Sequence, residues 1–76
     1  MTAIDWNKLM ILTAILTQEV DGGYVATNPE TGTTTQGDTF QEALENLKEA
    51  TELYLEEFPV SSKAPSLMTT FEVAYA

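Results

Sequence analysis

GDTFQEALENLKEATEL, residues 37–53, places a helix start signal, one apolar stripe and a dense acidic face in a single run. Gly37 and Asp38 close the segment before it. Thr39 stands three residues ahead of Glu42. That is the capping-box spacing, in which a hydroxyl and a carboxylate satisfy orphan backbone N–H groups reciprocally. Phe40, Ala43, Leu44, Leu47, Ala50, Tyr54 and Phe58 then recur at three- and four-residue steps, the period of one helical face. Glu42, Glu45, Glu49, Glu52 and Glu56 fall mainly on the other side. The spacing predicts a helix over 40–58. Pro59 stops it by removing a donor and restricting its neighbour.

Upstream, Leu9–Gln18 (LMILTAILTQ) is rich in Ile, Leu and Thr and ends abruptly at polar residues, which predicts a strand. Its apolar residues lie on both faces, the pattern of a central strand. Asp21-Gly22-Gly23 tolerates the positive φ of a hairpin turn. Tyr24–Thr27 returns as a second strand. Asn28-Pro29-Glu30-Thr31-Gly32 breaks the pattern, and Thr33–Gln36 forms a third strand, suited by its lack of Leu and Ile to a sheet edge. After the helix, Val60–Ser66 reads as a loop. Leu67–Ala76 (LMTTFEVAYA) reads as a last strand with Phe71, Val73 and Tyr75 on one face.

The order is βββαβ, an α+β class. A right-handed crossover through the helix returns the last strand beside the first. The expected sheet is four-stranded and mixed, in order 3-2-1-4, with one amphipathic helix on one face. Seventy-six residues make a single domain, with residues 1–8 as a polar lead-in, 9–76 as the folded core and no DNA-binding module after it.

Three Lys, no Arg and 12 acids give a net charge of −9, with no Cys and no His. Disulfides, thiol nucleophiles, imidazole bases and the usual zinc sites are thereby excluded. Direct nucleic-acid binding is not expected without cations to neutralise phosphates. A basic protein is the natural partner, although an acidic surface also serves plain solubility. A chain this small, without a staple, is expected to form a homo-oligomer. No signal peptide is visible and the apolar run from Leu9 to Leu16 is too short to span a bilayer. A cytoplasmic location and no membrane contact are expected, and no cofactor.

Asp21-Gly22-Gly23-Tyr24-Val25-Ala26, then Pro29-Glu30, then Gly37-Asp38-Thr39 and the run from Glu42 to Ala50 together resemble the HicB family of antitoxins. The resemblance extends from about Leu9 to Pro59, and Phe71-Glu72-Val73 fits the family's last strand. It implies a degraded RNase H-like fold that binds a small basic toxin, HicA, which cleaves mRNA, and blocks its active site. The third-strand approach, Pro29-Glu30-Thr31-Gly32, lacks the Leu of the family's Leu-Pro-Gly.

An enzymatic RNase H-like role needs carboxylates converging from the first strand, the helix and the last strand on divalent metals. Leu9–Gln18 holds no Asp or Glu, so neither catalysis nor a metal site is expected. The candidate partner-binding residues are Glu45, Glu49 and Glu52 on the helix, with Asn28 and Glu30 in an exposed loop. The helix glutamates also have a plainer reading as a solvated face, with Lys48–Glu52 a minor i,i+4 pair. Tyr54 and Tyr24 are expected to pack in the core, while Trp6 is open to core or oligomer contact. Other readings remain: a stand-alone oligomeric HicB-like adaptor with no toxin partner or with another basic protein partner, or a residual nuclease.

Overall fold

Asp21-Gly22-Gly23 does make the first turn. Gly22 takes φ +100°, Gly22 N–H donates to the Glu19 carbonyl at 3.0 Å, and Glu19 N–H donates to the Gly23 carbonyl. The Asp21 carboxylate accepts from Gly23 N–H at 3.3 Å. The computed structural model describes residues 10–58 and 65–75. The turn joins β1 (Ile15–Gln18) to β2 (Tyr24–Asn28), and a second turn through Gly32 (φ +78°) joins β2 to β3 (Thr33–Gly37). The helix α1 (Phe40–Glu57) follows.

All pairing is antiparallel, in sheet order β1-β2-β3. The register sets Leu16 opposite Ala26 and Ala26 opposite Thr35, so these three share the face under α1. The helix lies mainly over β3, less over β2, and only touches β1. Ala26, Ala43 and Leu47 are buried, with Ala14, Leu16 and Tyr24 packed against them. Two bonds bind the helix to β3: Thr35 Oγ1 donates to the Ala43 carbonyl at 3.1 Å and Asn46 Nδ2 to the Gln36 carbonyl at 2.7 Å. Gly37 permits this closeness, because a Cβ there would run into the backbone N and Cα of Ala43.

The α+β class and the helix are as the sequence predicts, and Thr39 is the N-cap, its hydroxyl accepting from Glu42 N–H at 3.0 Å. The reciprocal half of the capping box differs. The Glu42 carboxylate accepts from Asp38 N–H at 3.3 Å, one residue earlier than the standard pairing. Phe40 and Phe58, expected on the buried stripe, overhang the sheet and are half-exposed. Phe40 meets Tyr24 edge-on at 6.0 Å and Phe58 leans on Tyr54 at 5.1 Å.

Two larger corrections concern the sheet. The first strand begins at Ile15, because the Thr13 backbone is taken by side chains: its N–H donates to Glu30 and its carbonyl accepts from Asn28. Side-chain bonds of this kind displace the ladder. The expected fourth strand is not formed: residues 67–75 carry no regular structure, and the sheet has three strands with β1 at one edge. Alternation marks a segment able to pair but does not name its partner. The lead-in 1–8 with Trp6, Leu9, the Pro59 stop, loop residues 60–64 and Ala76 lie outside the described residues.

Leu47→Ala should lower stability by about 2–5 kcal/mol in urea unfolding, whereas Leu53→Ala, exposed on the same helix, should stay within about 0.5 kcal/mol. Thr51 is buried, and its hydroxyl has no partner among the described residues. Thr51→Val should therefore raise the urea midpoint, by about 1 kcal/mol in stability.

Candidate functional site

Advancing 100° per residue, Glu45, Glu49, Glu52 and Glu56 align along one line of α1. Ala43, Leu47 and Thr51, the buried positions, lie on the opposite side. All four glutamates are exposed. The row is about 17 Å long at 1.5 Å rise per residue. The structure therefore brings Glu45, Glu49 and Glu52 together, facing away from the sheet. Glu45 accepts a bond from Gln41 Nε2 at 3.2 Å; Lys48 is the helix's one basic residue.

This row stands against the helix's own electrostatics. Like charges four residues apart cost about 0.2–0.5 kcal/mol per pair. Glu56 and Glu57 sit at the C-terminal end, where the dipole is negative and a cation would be stabilising. The last turn holds no basic residue. Glu42, in the first turn, is the one helix acid the dipole favours.

A second acidic feature was not found by sequence reasoning. An open concavity of about 730 Å³ is lined by Glu19, Asp21, Asp38 and Glu42, among others. The register explains it: Tyr24 faces Gly37, so the β1–β2 turn and the β3–α1 junction meet at one end of the sheet. Hairpin topology alone carries that signal. Glu42 joins the concavity to the helix row, so the carboxylates run continuously from the turn along α1.

Asn28 and Glu30 behave differently. The loop containing them was expected to be exposed, but Asn28 is 1% exposed. Its Nδ2 donates to the Thr13 carbonyl at 2.8 Å and to Glu30 Oε1 at 2.6 Å, and its Oδ1 accepts from Thr31 N–H and Oγ1 at 2.9 and 2.6 Å. Every polar position of the amide is occupied. Glu30 Oε1 also accepts from Thr13 N–H at 2.7 Å, and Oε2 from Ser66 N–H at 3.0 Å. The Thr13 hydroxyl closes the circuit on the Ser66 carbonyl at 3.0 Å. These two residues tie three chain segments together, and the exposed acidic row lies instead on the helix, next to the concavity.

The N–H of Thr13, then that of Ser66, stabilise the ionised Glu30 and draw its pKa from 4.5 down to about 2. Among the described residues, no group of three or more Asp, Glu, His or Cys could hold a metal ion, and no helix is long and apolar enough to cross a membrane.

Residues 13–68 match a family described as a family of unknown function, DUF7387. A UPF0150 protein of Synechocystis sp. is 53% identical over 45 residues, 58% of this chain. The chain spans 57% of that relative's length. A UPF0150 protein of Helicobacter pylori is 33% identical over 72 residues, 88% of this chain and 100% of the relative. No solved structure matches the chain.

Glu30→Gln should lower stability most at neutral pH. A carboxylate depressed from 4.5 to about 2 contributes fully above pH 4.5 and loses its contribution as pH falls towards 2. Urea midpoints of the two proteins should therefore converge between pH 4.5 and 2. A gap that is constant across this range would place the effect outside the ionised carboxylate.

Proposed function

The chain belongs to the DUF7387 family of unknown function, and we propose that it is an antitoxin-like binding module. It neutralises a small, basic, mRNA-cleaving toxin of the HicA type by protein–protein contact, in the cytoplasm and without catalysis of its own. The observation that carries the proposal is the row of Glu45, Glu49, Glu52 and Glu56 opposite the core. Solubility needs acids, but not four of them aligned on one helix line with no cation at the dipole's negative end. Such a field draws a cationic partner, speeds association and discriminates against acidic or neutral surfaces.

A ribonuclease must itself be basic where it holds RNA, so an acidic strip competes for that same surface. The resemblance to HicB antitoxins in the turn, the β3–α1 junction and the helix supports the reading. So does the small single domain, which carries enough framework to present a helix rigidly. Glu30 falls to a supporting role in this proposal, and Asn28 contributes through the loop it shapes. The exposed apolar side chains of residues 67–75 favour a second reading, a stand-alone oligomeric adaptor for another basic protein.

The test is recovery of the tagged chain from its native host. The expected outcome is one small basic protein retained at low salt, able to cleave RNA alone and silenced by an equal amount of this chain. Changing Glu45, Glu49 and Glu52 together to Gln should weaken the complex at least tenfold, and the loss should shrink in high salt as screening replaces it. Unchanged affinity of the triple variant would move the contact off the helix. A retained basic partner without ribonuclease activity would select the adaptor.

A further inference from the structure

The segment 67–75 is the least accounted-for part of the molecule. Leu67 is 97% exposed, Met68 54%, Phe71 83%, Val73 68% and Tyr75 95%. Positions 67, 69, 71, 73 and 75 alternate with 68, 70, 72 and 74, so Leu67, Phe71, Val73 and Tyr75 share one side of an extended chain. Among the described residues, the Thr69 hydroxyl bonds only to its neighbour, donating to the Thr70 carbonyl at 3.3 Å. A row of large apolar side chains in water marks an interaction surface.

The opposite lack is at β1. Ile15 and Leu16 are adjacent, so they point to opposite faces, and both are half-buried. That is the composition of an interior strand. Yet β1 pairs with β2 alone, and its other edge offers unpaired N–H and C=O groups among the described residues. The helix, lying over β3 and β2, leaves that side thinly covered. The edge lacks the Lys, Pro or inward charge that proteins use to blunt one. It has a vacancy for a neutral, β-prone strand with one apolar face, and 67–75 is such a strand, with Glu72 its only charge.

We propose that residues 67–75 of one copy pair along the free edge of β1 in a second copy, giving a strand-exchanged homodimer. The proposal stands apart from the toxin-binding reading and uses none of its helix glutamates. Ser66 is fixed to Glu30 and Thr13, so each tail leaves its own body from a defined point beside the entry to β1. The described residues pair the tail with nothing in its own chain. Each buried aromatic contributes about 150–250 Å². Phe71 and Tyr75 from both tails, with the aliphatic residues beside them, thus bring the contact into the range of specific interfaces, about 1,200 Å² and above. Exchange of an identical element between copies is a low-cost route to a closed dimer.

Two measurements test this on the full chain. In sedimentation velocity the wild type should weigh about twice 8.4 kDa. Val73→Pro should raise the dissociation constant at least tenfold, because proline removes a ladder donor from a segment outside the monomer's core. The association should tighten with added salt, since each copy carries −9. For the second measurement, the cysteine-free chain allows single-cysteine copies. Thr17→Cys protein mixed with Thr69→Cys or Thr70→Cys protein should form a disulfide heterodimer in one of the two mixtures. That result can come only from contact between chains. A wild type that stays at 8.4 kDa at its highest soluble concentration overturns the proposal. So does a dimer indifferent to Val73→Pro, or one that weakens with salt. Cross-linking confined to a chain carrying both cysteines would assign the strand to its own β1 and equally overturn it.

Discussion

The Asn28 amide and Glu30 carboxylate hold together parts of the chain that lie far apart in sequence. Asn28 is 1% exposed at the end of β2, where a lone polar group would be costly to bury. It is tolerable because Thr13, Glu30 and Thr31 satisfy it completely. Glu30 then reaches in two directions, to Thr13 before β1 and to Ser66 beyond the helix. The approach to β1, the β2–β3 turn and the base of the tail are therefore fixed at one point. This is also why β1 is short: the backbone that would extend the ladder past Ile15 is engaged by these side chains.

Such a polar clasp matters more because the apolar core is so small. Two alanines and a leucine are the fully buried hydrophobic residues among those described. Alanine on both surfaces lets the helix settle closely on the sheet, and Gly37 removes the last obstacle at the Ala43 backbone. The closeness also fixes how the helix is turned. A helix seated flat and bonded through Thr35 and Asn46 has a fixed rotation about its axis. Its glutamate row is then aimed, not merely exposed.

How much of this was legible in the sequence depends on whether the signal was local. The helix, its Thr39 cap and the Asp21-Gly22-Gly23 turn depend on neighbours a few residues apart, and all are readable. The glutamate row follows from the helical period as soon as the buried face is known. The Asn28–Glu30 clasp was missed because Asn-Pro-Glu reads as an exposed turn, whereas its bonds run to residues 17 and 36 positions away. The concavity at Asp21 and Asp38 was missed because it appears only when two strand ends meet. The last strand failed for a related reason: period-two alternation in Leu67–Tyr75 is a property of the segment, and its pairing partner is not.

The two surfaces obey opposite physics and occupy different directions of the molecule. The glutamates project from the outer side of the helix, normal to the sheet, while the β1 edge lies in the plane of the sheet beyond the helix's cover. Occupying one leaves the other accessible. Charge links them nevertheless. Joining two acidic copies through a neutral strand concentrates negative field, which opposes self-association and strengthens the attraction for a cationic partner. Binding that partner neutralises carboxylates and relieves the repulsion between copies. If both proposed contacts form, each would therefore favour the other at low ionic strength through the field alone. Added salt removes this coupling, loosening the charged contact and leaving the strand contact to stand by itself.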